Sequence, residues 1–290
     1  MRIGMSDQGF APSTSFTRTE IEGRIAKVPS WWHSIDVGQG IATPGHKTPA
    51  QLAAELETLR LPDLHKKTVL DIGAWDGFHS FTAEKLGAEK VTALDHFVWS
   101  IDLKENQKHR EDCIARGVSP EPYETMPYYK PVELPGKRGF DTARELRGSK
   151  VESIVADFMS ADLKVIGTFD VVLFLGVLYH MKYPIESLER LARLTREVAI
   201  IETEAVFLPG LEDHAFCEYF EKGELNHDSS NWWAPNQKAL VGMCRTAGFR
   251  HVTVTPTAPT LPAWMELPLH FGVVGKKRLL RYRAVVQAWK

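Results

Sequence analysis

The sequence predicts an α/β protein of the Rossmann-like type, with a mostly parallel β-sheet covered by helices on both faces. From residue 67 onward, short apolar runs alternate with helical stretches. The apolar runs are hydrophobic throughout, which is typical of parallel strands buried on both faces. Hydrophobic residues make up 43% and charged residues 25% of the 290-residue chain, as in ordinary globular domains.

The order of elements follows from these runs. Strands are predicted at 68–72, 91–95, 154–156, 169–175, 197–202, 252–254 and 282–288. A helix begins at Thr48-Pro49, because threonine caps a helix and proline suits its first turn. Residues 1–66 are predicted as an N-terminal arm with cap helices, and residues 67–290 as the main domain. Two long stretches, 96–152 and 203–235, are predicted to be insertions that form lids or substrate walls.

Composition limits the function classes. The net charge is −2, so no overall positive field attracts nucleic acid. The three cysteines lack metal-ligand spacing and are predicted to be reduced thiols, and we expect no metal site. No signal peptide and no apolar run of membrane-spanning length is evident, which predicts a cytoplasmic protein without a membrane partner.

Residues 69–79 (VLDIGAWDGFH) predict a cofactor site at a strand–turn–helix junction. Gly73 allows a sharp turn and close approach of a ligand, while Gly77 allows the strand and helix to pack. Asp95 ends the next strand, where an acid binds ribose hydroxyls. The spacing D-x-G-x-x-x-G differs from the G-x-G-x-x-G of NAD-binding proteins. Asp71 suits a cationic, amine-bearing ligand, which favours S-adenosylmethionine over NAD.

The same run resembles motif I of class I S-adenosylmethionine-dependent methyltransferases, D/E-x-G-x-G-x-G, with Trp75 at the middle glycine. We expect the loop to splay outward there or Trp75 to cover the cofactor. Residues 169–184 (FDVVLFLGVLYHMKYP) resemble the fourth-strand motif of the tRNA wobble-uridine carboxymethyltransferase family, which carries G-V-L-Y-H. Residues 33–36 (HSID), 77–79 (GFH), 202–203 (ET) and 231–236 (NWWAPN) also resemble family positions.

This resemblance implies a seven-stranded class I sheet with an antiparallel last strand, and S-adenosylmethionine as cofactor. It also implies that Asp157 bonds the adenine amino group and that Phe158 flanks the ring. The predicted cofactor-binding residues are Asp71, Gly73, Ala74, Trp75, Gly77, His79, Asp95, His96, Asp157, Phe158 and Gly176.

Candidate catalytic residues follow the fourth and fifth strands. His180 is predicted as a general base, because it lies past a strand's carboxyl end and histidine titrates near neutrality. Alternatively, His180 bonds a backbone carbonyl and only shapes its loop. Tyr179 is predicted to contact the cofactor methyl or the acceptor, and Glu202 the acceptor. His33, Asp36 and Trp232 are predicted acceptor contacts, although His33 and Asp36 could equally form a structural pair.

The sequence therefore predicts a methyltransferase that acts on an oxygen or nitrogen of a small molecule, such as a sugar or secondary metabolite. The carboxymethyl branch of the family carries a lysine-bearing R-K-G-P-F segment that nothing before His33 resembles. One alternative is a tRNA modifier, favoured by family kinship and by the basic run 276–283 (KKRLLRYR), which would contact phosphates or form a solvated hairpin. Another is a non-catalytic cofactor-binding scaffold, which Trp75 favours.

Overall fold

The computed structural model describes residues 16–221, 223–259 and 279–290, and it confirms the predicted sheet. Seven strands follow the order β3-β2-β1-β4-β5-β9-β8, and β9 runs antiparallel to both its neighbours. β6 and β7 form a separate two-stranded hairpin. The strands are β1 (Thr68–Ile72), β2 (Lys90–Asp95), β3 (Glu152–Val155), β4 (Phe169–Leu175), β5 (Thr195–Phe207), β6 (Cys217–Tyr219), β7 (Trp233–Pro235), β8 (His251–Thr255) and β9 (Leu280–Trp289).

Helices cover both faces of the sheet. The helix predicted at Thr48-Pro49 starts with a capping box, in which the side chains of Thr48 and Gln51 bond each other's backbone N–H groups. The last helix starts at Asn236, whose side chain accepts from the backbone N–H of Ala239. The helices are α1 (Arg18–Ile25), α2 (Pro49–Leu59), α3 (Phe78–Lys85), α4 (Leu103–Arg116), α5 (Arg138–Arg147), α6 (Leu163–Ile166), α7 (Pro184–Leu194) and α8 (Gln237–Thr246).

The predicted insertions are shorter in the structure. Residues 96–152 include α5, whose Phe140 is fully buried and stacks on Phe81 of α3 with 5.5 Å between ring centroids. Burying such a ring contributes roughly 1.5–3 kcal/mol, so α5 belongs to the core. β5 continues to Phe207 because β9 pairs with it that far. We call residues 96–133 the first excursion and residues 208–235 the second excursion.

Residues 31–47, here called the N-terminal segment, pack against the sheet. Trp31, Ile35 and Val37 are buried in the same hydrophobic cluster as α3 and α5. The first fifteen residues of the predicted arm lie outside the described residues. The three cysteines are free thiols, as predicted. Among the described helices, none combines the length and apolar character needed to cross a membrane.

Candidate functional site

A cavity of about 1290 Å³ lies at the carboxyl ends of β1, β2, β3 and β4 and beside Glu202 and Glu204 of β5. Open α/β sheets bind their ligands at this edge. The N-terminal segment and both excursions supply its other walls. The predicted site residues that line the cavity are Gly73, Ala74, Trp75, His79, Asp95, His96, Asp157, Phe158, Gly176, Tyr179, His180, Glu202, His33 and Trp232.

Three predicted ligand contacts lie elsewhere. Asp71 is buried beneath the β1–α3 loop, where it accepts a 2.6 Å hydrogen bond from the Ser80 hydroxyl. Burial raises the pKa of Asp71 to about 6. Gly77 makes room for packing, since a Cβ there would lie 2.6 Å from a ring atom of Phe81. The exposed Asp36 carboxylate accepts from the backbone N–H of Gly38. None of the three is among the residues that line the cavity: Asp71 and Asp36 bond within their own surroundings, and Gly77 has the packing role that its position predicts.

Trp75 takes the place of the middle glycine without opening the loop. Its φ of +49° lies in the left-handed region that glycine favours. Its backbone N–H donates to Asp95 (2.9 Å), and its carbonyl accepts from the Trp99 indole (2.6 Å). Its ring stacks on Trp32 with 4.8 Å between centroids. The loop is therefore pinned, and the two indoles form one wall of the cavity.

Asp95 stands at the end of β2, as predicted, and holds the loops around it. Besides Trp75, it accepts a hydrogen bond from the backbone N–H of Val98 (3.1 Å). Burial raises its pKa to about 6, against the lowering effect of these hydrogen bonds. Beyond β3, the Asp157 side chain accepts from the backbone N–H of Met159, while Phe158 is buried against Phe174.

Asp76, which the sequence analysis did not single out, fastens the N-terminal segment to the β1–α3 loop. Its carboxylate accepts from the backbone N–H groups of Trp32 (3.0 Å) and His33 (2.8 Å), and it contacts the His33 ring nitrogen Nδ1. The sequence offered Asp36 as a structural partner of His33, but in the structure the carboxylate bound to the His33 ring is that of Asp76. Burial lowers the pKa of the neighbouring His79 well below its usual value, so this ring is neutral.

Glu202 forms an ion pair with Arg283 of β9, which also lies 3.3 Å from Glu204. The Arg283 guanidinium covers the Tyr179 ring at 4.8 Å from its centroid. Arg283 belongs to the basic run that was predicted to contact phosphates or form a hairpin. Arg281 of the same run pairs with Glu218, and the run's other basic residues, 276–278, lie outside the described residues.

His180 is held by the second excursion. Its Nδ1 lies 2.9 Å from the Ser230 hydroxyl and 3.2 Å from the Ser230 carbonyl oxygen. The Ser230 hydroxyl donates to Asp228 (2.6 Å), and Arg110 of α4 lies 3.7 Å from the same carboxylate. Burial lowers the pKa of His180. Sequence reasoning missed Asp228 and Ser230, because no spacing rule relates a long loop to a distant strand.

The cavity fits the predicted cofactor by volume and by chemistry. Ligand pockets usually measure roughly 300–1,000 Å³, so this one has room for a cofactor and an acceptor. Val177 and Met159 supply apolar surface, and the Asp95 and Asp157 carboxylates supply hydrogen-bond acceptors. Among the described residues, no group of three or more His, Cys, Asp or Glu could hold a metal ion. The acidic lining residues, Glu55, Asp95, Glu124, Asp157, Glu202, Glu204, Glu221 and Asp228, outnumber the basic ones, Lys47, Arg110, Lys182 and Arg283.

Comparison with known proteins identifies similar sequences and folds. A family model described as a methyltransferase domain matches residues 45–254. The tRNA U34 carboxymethyltransferase of Idiomarina loihiensis is 26% identical over 195 residues, which cover 67% of this chain and 49% of that protein. The ribosomal protein L11 methyltransferase of Vibrio campbellii is 35% identical over 100 residues, 34% of this chain and 31% of that protein. The chain thus spans half or less of the length of these two relatives.

A solved structure shares the fold. The N-terminal domain of EvdMO1, crystallised in the presence of SAH and D-fucose, superposes with a TM-score of 0.58. The alignment covers 94% of this chain and 97% of that one, at 17% sequence identity.

Proposed function

The chain belongs to the methyltransferase domain family, and on that basis we propose that it transfers a methyl group from S-adenosylmethionine to a hydroxyl group of a small-molecule acceptor. The observation that carries this proposal is the cavity where the β1–α3 loop, Asp95 and His180 meet.

The cofactor is proposed to lie across the ends of β1, β2 and β4. Gly73 and Ala74 would border it at the loop, Asp95 would accept hydrogen bonds from its ribose hydroxyls, and Asp157 and Phe158 would flank its base. S-adenosylmethionine would supply an electrophilic methyl carbon on a positively charged sulfur. When the acceptor oxygen bonds to that carbon, the carbon–sulfur bond breaks, its electron pair leaves with the sulfur as a neutral thioether, and the oxygen loses its proton. His180 faces the cavity and takes this proton at Nε2, because Nδ1 is bound to Ser230.

The charges around the cavity favour the plain cofactor. Arg283 is matched by two glutamates, Glu202 and Glu204, so it offers no uncompensated positive charge to a carboxylated cofactor. An acidic lining also stabilises the positive charge of a sulfonium. These features support S-adenosylmethionine over its carboxylated form.

The same charges favour a small acceptor over RNA. Binding of RNA depends on many lysine and arginine contacts to phosphates. Here Arg281 and Arg283 are paired with glutamates, and Arg110 donates to the Asn226 carbonyl across the cavity mouth. This bridge joins the two excursions into a wall that encloses an acceptor of modest size.

Calorimetric titration with S-adenosylmethionine, its carboxylated analogue and NAD tests the cofactor. We expect binding of the plain form and at least tenfold weaker binding of the other two. Transfer of labelled methyl groups to a panel of monosaccharides and glycosides, with bulk tRNA in parallel, then tests the acceptor. Preference for the carboxylated cofactor, or labelling of tRNA alone, would contradict the proposal.

A tRNA wobble-uridine acceptor is the second candidate, because a tRNA U34 carboxymethyltransferase is among the similar proteins. If tRNA is the acceptor, its retention on the immobilised protein should fall steeply with salt, as phosphate contacts require. Cofactor binding without transfer to either class of acceptor would favour the third possibility, a non-catalytic scaffold.

A further inference from the structure

The contacts of His180 define where its proton lies. Its Nδ1 faces two oxygens of Ser230, the hydroxyl at 2.9 Å and the backbone carbonyl at 3.2 Å. A carbonyl oxygen only accepts hydrogen bonds. The Ser230 hydroxyl has a single proton, and the 2.6 Å contact directs it to the Asp228 carboxylate. Both oxygens must therefore accept from Nδ1, which requires Nδ1 to carry the proton.

We propose that Asp228 and Ser230 are positioning residues that hold His180 with its proton on Nδ1 and its Nε2 lone pair directed into the cavity. The inference rests on the proposed function, in which Nε2 receives the acceptor's proton. Nε2 has no hydrogen-bond partner within the part of the chain that the structure describes. The opposite tautomer would place a proton on Nε2 and remove its ability to act as a base.

Charged groups from three elements surround the ring. Asp228 of the second excursion favours the protonated imidazole, whereas Arg283 of β9 and Arg110 of α4 oppose it. Burial lowers the pKa of His180 and keeps the ring neutral before transfer. As the ring gains a proton, its positive charge is stabilised through Ser230 by the Asp228 carboxylate. The same excursion that fixes the tautomer therefore also stabilises the product of proton transfer.

Two further hydrogen bonds join the second excursion to the backbone on either side of His180. The N–H of Trp232 donates to the carbonyl of Tyr179 (2.8 Å), one residue before His180. The Trp233 indole donates to the carbonyl of Lys182 (3.2 Å), two residues after it. These two bonds help to place Ser230 against the imidazole. The Asp228 carboxylate also accepts from the backbone N–H of Ser230 (2.9 Å), and Asp228→Asn keeps an oxygen for that bond. Ser230→Ala and Asp228→Asn should therefore alter the ring with little displacement of the loop.

Nitrogen-15 NMR of the histidine-labelled full chain tests the inference without an acceptor. The His180 signals are assigned as those lost in His180→Ala. In the unmodified protein we expect a protonated Nδ1 and an unprotonated Nε2. Ser230→Ala removes one of the two acceptors, so the ratio of Nδ1–H to Nε2–H tautomers should fall roughly threefold to tenfold. Asp228→Asn keeps an acceptor for Ser230 but removes the charge, so the protonation midpoint should fall by about one pH unit.

Matched controls separate positioning from a general loss of structure. Ser229→Ala removes the adjacent hydroxyl, and Asp213→Asn removes a fully exposed charge from the same excursion. Both should leave the His180 signals unchanged, and the other histidine signals report the fold of every variant. A protonated Nε2 in the unmodified protein would overturn the inference, as would unchanged His180 signals in both Ser230→Ala and Asp228→Asn. If either result were found together with intact methyl transfer, the proposed function would stand and only the tautomer assignment would fail. If S-adenosylmethionine did not bind, the proposed function would fail whichever tautomer His180 adopts.

Discussion

The two ends of the cavity are built in different ways. At the cofactor end, buried carboxylates receive backbone N–H groups, so Asp76 and Asp95 tie the β1–α3 loop to its neighbours. At the acceptor end, the two excursions meet through side chains, with Arg110 reaching across to Asp228 and Asn226. The cofactor end is therefore fixed by buried hydrogen bonds, while at the acceptor end the contact between the two excursions depends on the half-buried side chain of Arg110.

This difference separates binding from turnover. Changes at the cofactor end should lower both stability and cofactor affinity, because the same hydrogen bonds support the loop and the cavity wall. Changes at the acceptor end should lower turnover and leave the fold intact. Four substitutions test this division.

The largest effect is expected at the acceptor end. His180→Ala should reduce methyl transfer by about 10²–10⁴-fold, because the acceptor's proton loses its base. Cofactor affinity should stay the same in calorimetric titration. His214→Ala, an exposed histidine of the second excursion, is the control and should transfer normally. Undiminished transfer by His180→Ala would show that His180 is not the base and that its role is to bond Ser230.

The next effect is expected at the cofactor end. Asp76→Ala leaves two backbone N–H groups and the His33 ring without their acceptor, at a cost of about 3 kcal/mol or more in unfolding free energy. Cofactor affinity should fall with it, because the N-terminal segment loses its anchor. Urea unfolding and titration measure the two losses. Asp76→Asn retains one accepting oxygen, so its unfolding free energy should lie between those of the unmodified protein and Asp76→Ala. Full stability in Asp76→Ala would contradict the anchoring role of Asp76.

A pH dependence is expected from the buried carboxyls of the cofactor end. The pKa of Asp71 rises from 3.8 to about 6 on folding because burial disfavours the charged form. Between these values the folded state binds the proton more tightly, so the free energy of unfolding falls as pH rises from about 4 to about 6. Asp71→Asn should reduce this fall by about 2 kcal/mol, measured by urea unfolding at pH 4.5 and 7. Asp36→Asn, at an exposed site, should leave the fall unchanged; an identical fall in Asp71→Asn would refute the assignment.

The smallest effect is expected where the excursions meet. Arg110→Ala removes a contact between side chains that are 34% and 26% exposed, and exposed pairs contribute about 1 kcal/mol or less. Global stability should hardly change, while amide hydrogen exchange at residues 226–230 should accelerate. Lys104→Ala, in the first turn of the same helix, is the control. If amide exchange at residues 226–230 were as slow in Arg110→Ala as in the unmodified protein, the second excursion would not depend on this bridge.

The sequence predicted what depends on local patterns. Strand positions followed from apolar runs, and the cavity edge followed from where those strands end. The inclusion of Tyr179 and His180 followed from a resemblance carried by consecutive residues. The bounds of the two insertions differ where contacts between distant parts of the chain set the structure. β5 extends to Phe207 because β9 pairs with it, and α5 packs in the core through Phe140 instead of forming part of a lid.

Side-chain partners were the least predictable part of the site. The sequence around Asp71 does not show whether its carboxylate contacts a ligand or the Ser80 hydroxyl. Only the burial of Asp71 in the folded chain distinguishes these two roles. Asp76 contacts the ring of His33, which lies 43 residues away in the chain. Asp228 reaches His180, 48 residues away, through the hydroxyl of Ser230. No spacing pattern in the sequence encodes such pairs. Asp157, by contrast, lines the cavity where the family resemblance placed it.

The position of β9 also has a consequence for biosynthesis. β9 lies between β5 and β8, and in chain order it follows the other strands of the sheet that the structure describes. Until β9 emerges from the ribosome, β5 lacks its antiparallel neighbour and Glu202 lacks its ion-pair partner Arg283. After β5 has been made and before β9 follows, the nascent chain therefore carries an unpaired edge of β5 and the uncompensated carboxylates of Glu202 and Glu204. Synthesis of β9 pairs that edge and balances these charges in one step.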